Sequence, residues 1–472
     1  MLQHGLLGKT RRIHFVGIGG IGMSGIAELL ANLGYTVTGS DAKRSEITER
    51  LTSRFGIVVH EGHAASNVGD ADVVVVTSAV KPSNPEVMAA QRHRIPVIPR
   101  AEMLAELMRL RFSIAVAGAH GKTTTTSMIA LVLERAGLDP TAVIGGRLSA
   151  FGSNARLGRG EYLVAEADES DRSFLMLWPA IAVITNIDDE HMESYGSFAD
   201  LQGAFADFAN KVPFYGAVIG CADDERLAPV LARVKRRLVT YGLENADADV
   251  VGTDVQLGSF GGRCVVHRHR ESGTFRLGDL RVPVPGRHNL QNALAVVALA
   301  EQLGVEFPKV VTALEEFQGA ERRFQRYGEV GGVLVVDDYG HHPTEIAAVI
   351  GAAKSSLGRR LIVAFQPHRY SRTARLMDAF GPALREADEI VLTDIYAAGE
   401  EPIEGVTIDT LADAIGRSAG KRVRLVKALD DVVPAVVQLA RPGDAVLTLG
   451  AGSIGTLPQR LVDALSQRGS GR

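Results

Sequence analysis

The sequence predicts an α/β protein of three domains, each built on a largely parallel sheet with helices on its faces. Length is the first reason, because 472 residues correspond to about three domains at roughly 150 residues each. Pattern is the second, because short apolar runs that end near glycine alternate with helical stretches, as in doubly wound sheets. New series of such units begin at residues 13–18, 112–117 and 333–336.

Composition excludes several other classes of protein. The chain is 46% hydrophobic and 22% charged, with a formal net charge of −4. These values exclude a disordered chain, a fibrous repeat and a coiled coil, and they do not favour a nucleic-acid partner. The two cysteines, Cys221 and Cys264, cannot form a disulfide framework, and a thiolate zinc site is not expected. No stretch approaches the roughly 18 apolar residues of a membrane span. We therefore expect a cytoplasmic protein that contacts neither nucleic acid nor a membrane.

The first segment, residues 1–109, carries a glycine loop. Its predicted elements are strands at 13–18, 35–38, 73–76 and 95–98 and a helix at 22–33. Gly17, Gly19 and Gly22 have the GxGxxG spacing at the first strand-to-helix turn, and Asp41 follows the second strand. This is typical of a Rossmann-like domain and, taken alone, indicates dinucleotide binding by an NAD-dependent dehydrogenase. Any nucleotide diphosphate would also fit a helix N-terminus, and a simple packing turn is a third interpretation.

The second segment, residues 110–318, carries the strongest local signal. A predicted strand at 112–117 runs into Gly118-Ala119-His120-Gly121-Lys122-Thr123, and a helix follows. Lys122 can neutralise phosphate charge and Thr123 can ligate Mg²⁺. The loop is shorter than the usual GxxxxGK[ST], but its position between strand and helix favours phosphate binding over an ordinary turn. With an alternating pattern at 250–285, the segment is predicted to be a P-loop ATPase-like α/β domain with a small antiparallel layer.

Two acidic clusters follow predicted strands of this second segment. They are Glu166, Asp168, Glu169 and Asp171 after the strand at 162–165, and Asp188, Asp189, Glu190 and His191 after the strand at 181–185. Because parallel strands end at the same edge of a sheet, both clusters are expected to face the Lys122 loop. Position favours Glu166 and His191 as metal ligands. A solvated loop is the favoured interpretation for Asp171, Asp188 and Asp189.

The third segment, residues 319–472, is predicted to be another Rossmann-like unit. Its predicted strands are 333–336, 361–365, 389–392, 423–426 and 445–449. Tyr339, His341, Arg369 and Arg372 follow strand ends. Arginine binds carboxylates in bidentate fashion, so these residues suggest a site for an anionic substrate group. Structural imidazoles remain an equal interpretation for the histidines. Asn289, before a helical stretch, is expected to be its N-cap.

Taken together, these motifs resemble the Mur ligase family over essentially the whole chain. The residues that carry the resemblance are 14–25, 118–124, 166–171, 185–187 with His191, 285–289 with Asn292, 339–345 and 368–373. The short phosphate loop is the form that this family has. The resemblance implies domains at 1–109, 110–318 and 319–472, for a UDP-linked substrate, for ATP and for an amino acid. It is closest to the member that adds the first amino acid of the peptidoglycan precursor. The implied reaction joins L-alanine to the carboxylate of UDP-N-acetylmuramate through an acyl phosphate.

The resemblance also implies roles for individual residues. The UDP part of the substrate would be bound by Gly17, Gly19, Gly20, Gly22, Ser24, Asp41 and Ser78. ATP would be bound by Gly118, Ala119, His120, Gly121, Lys122, Thr123, Thr124, His288, Asn289, Asn292 and Arg323, with Arg322 as an alternative to Arg323. Mg²⁺ or Mn²⁺ would be held by Thr123 and Glu166, with His191 at a second ion. The amino acid would be bound by Tyr339, His341, Arg369 and Arg372. The implied catalytic residues are Lys122, His191 and His341, the last as a candidate general base. Lys211, the nearest lysine after His191, is not a convincing carbamylated metal ligand.

Three other functions stay open at this stage. The first is a family member that recycles a whole peptide onto UDP-N-acetylmuramate, against which the glycine loop argues. The second is the NAD-dependent dehydrogenase, which leaves the Lys122 loop and both acidic clusters without a role. The third is a nucleotide-sensing module without turnover. For the leading interpretation the partners are UDP-N-acetylmuramate and L-alanine, and the chain is expected to be a monomer or weak homodimer.

Overall fold

The computed structural model describes residues 7–77, 79–148, 153–258 and 261–470. The chain divides into two compact units. The first comprises residues 1–253, 265–280 and 291–317, and the second residues 254–264, 281–290 and 318–472. Three sheets, of five, ten and six strands, organise the described chain. Among the described residues, no helix has both the length and the apolar character needed to cross a bilayer.

The five-stranded sheet is parallel and has the order β3-β2-β1-β4-β5. Its strands are β1 (Arg12–Val16), β2 (Thr36–Asp41), β3 (Val58–Glu61), β4 (Val73–Val76) and β5 (Val97–Pro99). Its helices are α1 (Ile21–Asn32), α2 (Glu46–Phe55), α3 (Pro85–Arg92) and α4 (Arg100–Met108). The order reverses beside β1, so the first glycine loop lies at the point where doubly wound sheets bind ligands. The sequence did not predict β3, whose side chains are all at least partly exposed.

The ten-stranded sheet has the order β15-β14-β13-β12-β11-β10-β6-β9-β7-β8. Its strands are β6 (Phe112–Ala117), β7 (Thr141–Leu148), β8 (Ser153–Arg156), β9 (Tyr162–Glu166), β10 (Ile181–Ile184), β11 (Ala217–Cys221), β12 (Leu238–Gly242), β13 (Val250–Gly258), β14 (Gly261–Arg270) and β15 (Gly273–Val282). The associated helices are α5 (Lys122–Arg135), α6 (Met192–Tyr195), α7 (Phe198–Asn210), α8 (Ala228–Leu231), α9 (Arg287–Gln302) and α10 (Phe307–Glu315). From β9 to β12 the sheet is parallel. The links between β13, β14 and β15 are too short for parallel crossovers, so this part is the predicted antiparallel layer.

The six-stranded sheet has the order β16-β17-β21-β18-β19-β20. Its strands are β16 (Gln325–Val330), β17 (Val333–Asp338), β18 (Leu361–Phe365), β19 (Glu389–Leu392), β20 (Val423–Leu425) and β21 (Ala445–Leu449). Its helices are α11 (Pro343–Leu357), α12 (Tyr370–Arg375), α13 (Phe380–Leu384), α14 (Ile408–Ala419), α15 (Leu429–Leu439) and α16 (Leu457–Ser470). Only the pairing of β16 with β17 is antiparallel among the pairings described for this sheet.

Strand β18 shows how this sheet is covered on both faces. Leu361, Val363 and Phe365 belong to one buried apolar cluster, and Ile362 and Ala364 belong to another. Successive side chains of a strand point to opposite faces, so both faces of the strand are packed. Burial on both faces is why this strand is a continuous apolar run in the sequence. The doubly wound prediction for the third segment is confirmed.

Candidate active site

The first glycine loop joins β1 to α1 and is held by the end of β2. The N–H groups of Gly17 and Ile18 donate to the Ser40 carbonyl at 2.8 and 3.0 Å, and the Gly19 N–H donates to Asp41 Oδ2 at 2.8 Å. A Cβ on Gly19 would lie 2.8 Å from that carboxylate oxygen. Gly19 therefore allows the close approach of Asp41, and Asp41 takes one N–H of the loop itself.

Three further features surround this loop. Ser24, predicted to bind substrate, is buried, and its hydroxyl donates to the Ile21 carbonyl at 3.0 Å. Ser78, also predicted to bind substrate, lies outside the described residues. Arg100, which the sequence analysis missed, lies so close that a Cβ on Gly22 would be 3.1 Å from its Nη1. Arg100 thus brings a guanidinium to the N-terminus of α1, where an anion would bind. The signal available was its position directly after β5.

The second glycine loop joins β6 to the 14-residue helix α5. Gly118 and Gly121 have φ values of +133° and +82°, which L side chains rarely adopt. A Cβ on Gly118 would lie 2.1 Å from Thr185 Oγ1, and one on Gly121 would lie 2.7 Å from Asn292 Oδ1. The structure therefore brings predicted Asn292 to the phosphate loop. Thr124 is buried and Thr123 is partly exposed.

Lys122 lies at the centre of this loop, with only 18% of its side chain exposed. Its Nζ donates to the carbonyls of Gly118 and Ala119 at 2.5 and 3.1 Å and to Glu169 Oε1 at 2.8 Å. Burial alone would lower the pKa of Lys122, but the negative charge of Glu169 raises it above its usual value. The loop thus holds a fully protonated ammonium where phosphate charge would lie.

His120 is held through both its backbone and its ring. Its N–H donates to Asn186 Oδ1 at 2.8 Å, and its carbonyl accepts from Thr185 Oγ1 at 2.6 Å. The His120 Nε2 lies 2.8 Å from Asp188 Oδ2. Asp188 is only 6% exposed, so the solvated-loop interpretation of this residue is wrong. The reason is that two sheet-end loops meet, which sequence position alone does not show.

The two acidic clusters lie close to the Lys122 loop. Glu166 ends β9 and is in register with Val116 of β6, directly before the loop. Ligand atoms of Glu169, Glu190 and His191 all lie within 4.8 Å of one another. Glu169 is 2% exposed, and its Oε2 has no hydrogen-bond partner among the described residues. A buried oxygen of this kind fits a divalent cation, which prefers carboxylate ligands.

Asp168, which follows β9 with Glu166 and Glu169, contacts Arg100 beside the first glycine loop. Its Oδ2 lies 3.5 Å from Arg100 Nη2. Burial would raise the pKa of Asp168, but the charge of Lys122 and a hydrogen bond from Ser170 lower it. This carboxylate therefore stays charged beside two cations, Lys122 of the second loop and Arg100, which lies next to the first loop.

The remaining predicted ATP residues lie in the second compact unit. The helix α9 begins at Arg287, and the Asn289 side chain donates to the Pro285 carbonyl at 2.6 Å. The N-cap prediction for Asn289 is therefore wrong, because the residue lies inside the first turn and acts as a donor. His288 packs against Gly286, where a Cβ would lie 2.5 Å from its ring. Arg323 has its guanidinium 5.4 Å from the Tyr339 ring centre.

The predicted amino-acid residues are grouped at the end of the six-stranded sheet. The rings of Tyr339 and His341 lie 5.7 Å apart, and those of His341 and His368 lie 5.5 Å apart. Arg372 Nη1 lies 3.2 Å from His368 Nδ1. Burial and the neighbouring positive groups lower the pKa of His368 to about 3, so this ring is neutral. Arg369 follows β18 with a φ of +70°, and Arg322, the alternative to Arg323, is bound to Asp337 at 2.7 Å.

Comparisons with known proteins agree over nearly the whole chain. Three family descriptions match in order: "Mur ligase family, catalytic domain" at residues 12–112, "Mur ligase middle domain" at 116–300 and "Mur ligase, glutamate ligase domain" at 322–452. The UDP-N-acetylmuramate–L-alanine ligase of Geobacter sp. (strain M21) is 54% identical over 95% of this chain and 96% of its own. The crystal structure of the UDP-N-acetylmuramate–alanine ligase of Thermotoga maritima has a TM-score of 0.82 and 32% identity, covering 98% of this chain and 100% of its own. A murein peptide ligase from Psychrobacter arcticus has a TM-score of 0.72 and 27% identity, covering 97% and 99%.

Proposed function

The chain belongs to the Mur ligase family, and from that premise we propose that it is an ATP-dependent ligase that joins L-alanine to UDP-N-acetylmuramate. This is the first amino-acid addition in the synthesis of peptidoglycan, the cell-wall polymer. Relatives named for this reaction support the proposal at 50–54% identity over nearly the full chain. The observation that carries it is the protonated Lys122 ammonium, held by Glu169 inside a glycine loop at the start of α5.

The reaction has two chemical steps. A muramoyl carboxylate oxygen attacks the γ-phosphorus of ATP and ADP leaves, which forms an acyl phosphate. The amine of L-alanine then attacks the acyl carbon, its nitrogen loses a proton, and inorganic phosphate leaves as the amide forms. In the first step Lys122 would stabilise the negative charge on the transferring phosphoryl group. Residues 118–124 would surround the neighbouring phosphates, with the N–H groups at the start of α5, residues 121–124, as the donors.

A divalent cation is part of the proposal. Mg²⁺, or Mn²⁺, would supply charge neutralisation for the ATP phosphates. Thr123 and Glu166 would hold one ion, and His191 would contact a second ion near the substrate carboxylate. The unpaired Glu169 oxygen and the closeness of Glu190 to His191 support the second position.

The first glycine loop would bind the UDP diphosphate. Gly17, Gly19 and Gly20 would shape the loop, since their N–H groups donate to the Ser40 carbonyl, the Asp41 carboxylate and the Gly17 carbonyl. Gly22 lies at the start of α1, whose neutral N-terminus suits a group that is bound but not cleaved. Asp41 shapes the loop by accepting from Gly19, which gives this aspartate a role that needs no NAD. His288, Asn289, Asn292 and Arg323 would contact ATP, and we keep the domain boundaries at 1–109, 110–318 and 319–472.

The amino acid would bind to the third domain. Arg369 and Arg372 would pair with the alanine carboxylate, and Tyr339 would line the same pocket. His341 is our candidate for the base, because its Nδ1 lies 3.2 Å from the Tyr339 carbonyl. Donation from Nδ1 makes Nε2 the basic nitrogen of the ring. An unchanged rate of amide formation in His341→Ala, with unchanged alanine affinity, would remove this role. We place the reaction in the cytoplasm, with a monomer or weak homodimer and with neither nucleic acid nor a membrane as partner.

The test is phosphate release from ATP in the presence of UDP-N-acetylmuramate and Mg²⁺. Three parallel reactions contain L-alanine, a tripeptide or no acceptor. We expect release that depends on L-alanine, with a product heavier by one alanyl unit. Release only with the tripeptide would assign the peptide-adding reaction instead. Absence of release with every acceptor, together with NAD binding, would return the first loop to a dehydrogenase.

A further inference from the structure

A buried polar cluster lies beside the first glycine loop and has no role in the reaction described above. We name it the Glu86 cluster, and it comprises Glu86, Ser40, His63, Asn67 and His14. Glu86 lies in the first turn of α3, and Glu86, Ser40 and His14 are each 0% exposed. Buried carboxylates are rare unless paired or fully hydrogen-bonded. The contacts of Glu86 therefore call for a physical reason.

Glu86 collects donors from three parts of the domain. Its Oε2 accepts from Ser40 Oγ at 2.6 Å, and its Oε1 accepts from Asn67 Nδ2 at 2.7 Å and the Ala64 N–H at 3.4 Å. His63 Nδ1 lies 3.3 Å from Glu86 Oε2 and 3.0 Å from Ser40 Oγ. Burial by itself would raise the pKa of Glu86, but the His14 ring, whose Nε2 lies 3.8 Å from Glu86 Oε2, and the hydrogen bonds from Ser40 and Asn67 lower it to about 2. The cluster is thus built around a permanent negative charge.

The cluster connects directly to the glycine loop through Ser40. The hydroxyl of Ser40 donates to Glu86, while its carbonyl accepts the N–H groups of Gly17 and Ile18. The next residue, Asp41, accepts the Gly19 N–H. One short segment at the end of β2 therefore holds the loop on one side and is held by Glu86 on the other.

His63 is a partly exposed member of the cluster, so a ligand can reach it. It follows β3 at the carboxyl edge of the sheet, and its side chain keeps 27% of its exposure. Its Nδ1 is engaged with Ser40 and Glu86, and a hydrogen bond at one ring nitrogen fixes the tautomer and the orientation of the other. Glu86 thereby sets both the backbone of the loop and the orientation of an accessible imidazole.

We propose that Glu86 is a positioning residue for the UDP part of the substrate. It acts through Ser40 on the glycine loop, and through His63 on the portion of the UDP group that lies at the same edge of the sheet. This inference rests on the proposed function, because it assigns the UDP part to this loop. Glu86 itself is buried and touches no ligand. Its effect should therefore appear in the binding of the UDP-linked substrate and not in the ATP or alanine steps.

The experiment compares Glu86→Gln with Glu28→Gln in the full-length protein. Glu28 is a matched control, because it is 3% exposed in the same domain but is paired with Arg50 of α2. For each variant we would measure the Kd of UDP-N-acetylmuramate by titration, the KM of all three substrates and the melting temperature. We expect Glu86→Gln to weaken UDP-N-acetylmuramate binding about tenfold or more, since a charged acceptor is lost. We expect the KM values of ATP and L-alanine to stay within about twofold, because the contacts of Glu86 lead to the first glycine loop and not to the second.

Ser40→Ala is the second variant, in case Glu86→Gln does not fold. It keeps the carbonyl that binds the loop and removes only the hydroxyl link to Glu86. We expect Ser40→Ala to raise the Kd of UDP-N-acetylmuramate about threefold to tenfold. The single variant Glu86→Asp keeps the carboxylate and should lose less affinity than Glu86→Gln. The inference is overturned when Glu86→Gln and Glu28→Gln bind UDP-N-acetylmuramate alike, or when all three KM values change together. A wild-type protein that neither binds nor converts UDP-N-acetylmuramate would contradict the proposed function itself, which is a distinguishable result.

Discussion

The two glycine loops begin from the same backbone device and carry different chemistry. Each connects a buried parallel strand to the N-terminus of a helix, α1 or α5, where N–H groups and the helix dipole favour anions. The first loop contains no charged side chain and is supported from outside, by the Ser40 carbonyl and the Asp41 carboxylate. The second contains Lys122, which closes on two carbonyls of its own loop and on Glu169.

The difference indicates which kind of phosphate group each loop suits. A diphosphate that stays intact needs shape and neutral donors, which the first loop and the N-terminus of α1 that follows it would provide. A phosphoryl group in transfer needs a positive charge already in place, because preorganised charge lowers the barrier without reorganisation. A glycine pattern therefore predicts an anion site, and the charged residue inside the loop predicts whether chemistry occurs there.

Of the changes that test this difference between the loops, loss of the Lys122 charge should have the largest effect, and it should appear in kcat. We expect Lys122→Met to lower kcat about 10²–10³-fold, the usual cost of removing one transition-state donor. It should also lower the melting temperature, because Glu169 is left buried without its cation. The double variant Lys122→Met with Glu169→Gln should regain the melting temperature but not kcat. Recovery of kcat in the double variant would contradict the catalytic role.

Lowering the pH should test whether ionised Glu86 supports the first loop. The pKa of Glu86 is lowered from 4.5 to about 2, so ionised Glu86 stabilises the fold above pH 4.5 and this stabilisation is lost as pH falls toward 2. The shift corresponds to about 3 kcal/mol of unfolding free energy at neutral pH. The difference in melting temperature between wild type and Glu86→Gln should therefore shrink between about pH 5 and pH 3. A constant difference over this range would contradict the lowered pKa.

Added methyl groups should distinguish the packing of the two loops. Gly118→Ala places a Cβ 2.1 Å from Thr185 Oγ1 at a φ of +133°, whereas Gly17→Ala meets only Thr77 Cγ2 at 3.2 Å. We expect Gly118→Ala to lose about 2–3 kcal/mol of stability and Gly17→Ala about 1 kcal/mol. Thermal unfolding of the two variants measures the difference. Equal or reversed losses would show that the second loop is not the more tightly packed.

Substitution of Arg100 should have the smallest effect of these changes, and it should appear in the KM of UDP-N-acetylmuramate. Arg100 lies beside Gly22 of the first loop and pairs with Asp168 at 3.5 Å. We expect Arg100→Ala to raise the KM of UDP-N-acetylmuramate about tenfold. Arg100→Lys should raise it less, because lysine keeps the positive charge and loses only the planar group. Asp168→Asn is the matched change on the partner side and should leave this KM within about threefold. A KM unchanged in Arg100→Ala would limit the arginine to its ion pair.

Much of the fold could be predicted because buried parallel strands have a strong sequence signal. Strands 112–117, 361–365, 389–392 and 445–449 have the predicted bounds, since both faces are buried and the apolar run is continuous. The unpredicted strand β3 is partly exposed along its length, and so is β16 at a sheet edge. Exposure removes the apolar run on which such a prediction depends.

Both glycine loops, the acidic clusters and the family were available from the sequence alone, because each depends on local spacing and residue type. The tertiary structure alone decided which charges meet. Lys122 pairs with Glu169 across 47 positions and His120 with Asp188 across 68. Glu86, to which the sequence analysis gave no role, becomes the buried support of a loop. Spacing along a chain specifies which element a side chain belongs to, whereas its partner depends on how strands from distant segments are ordered in one sheet.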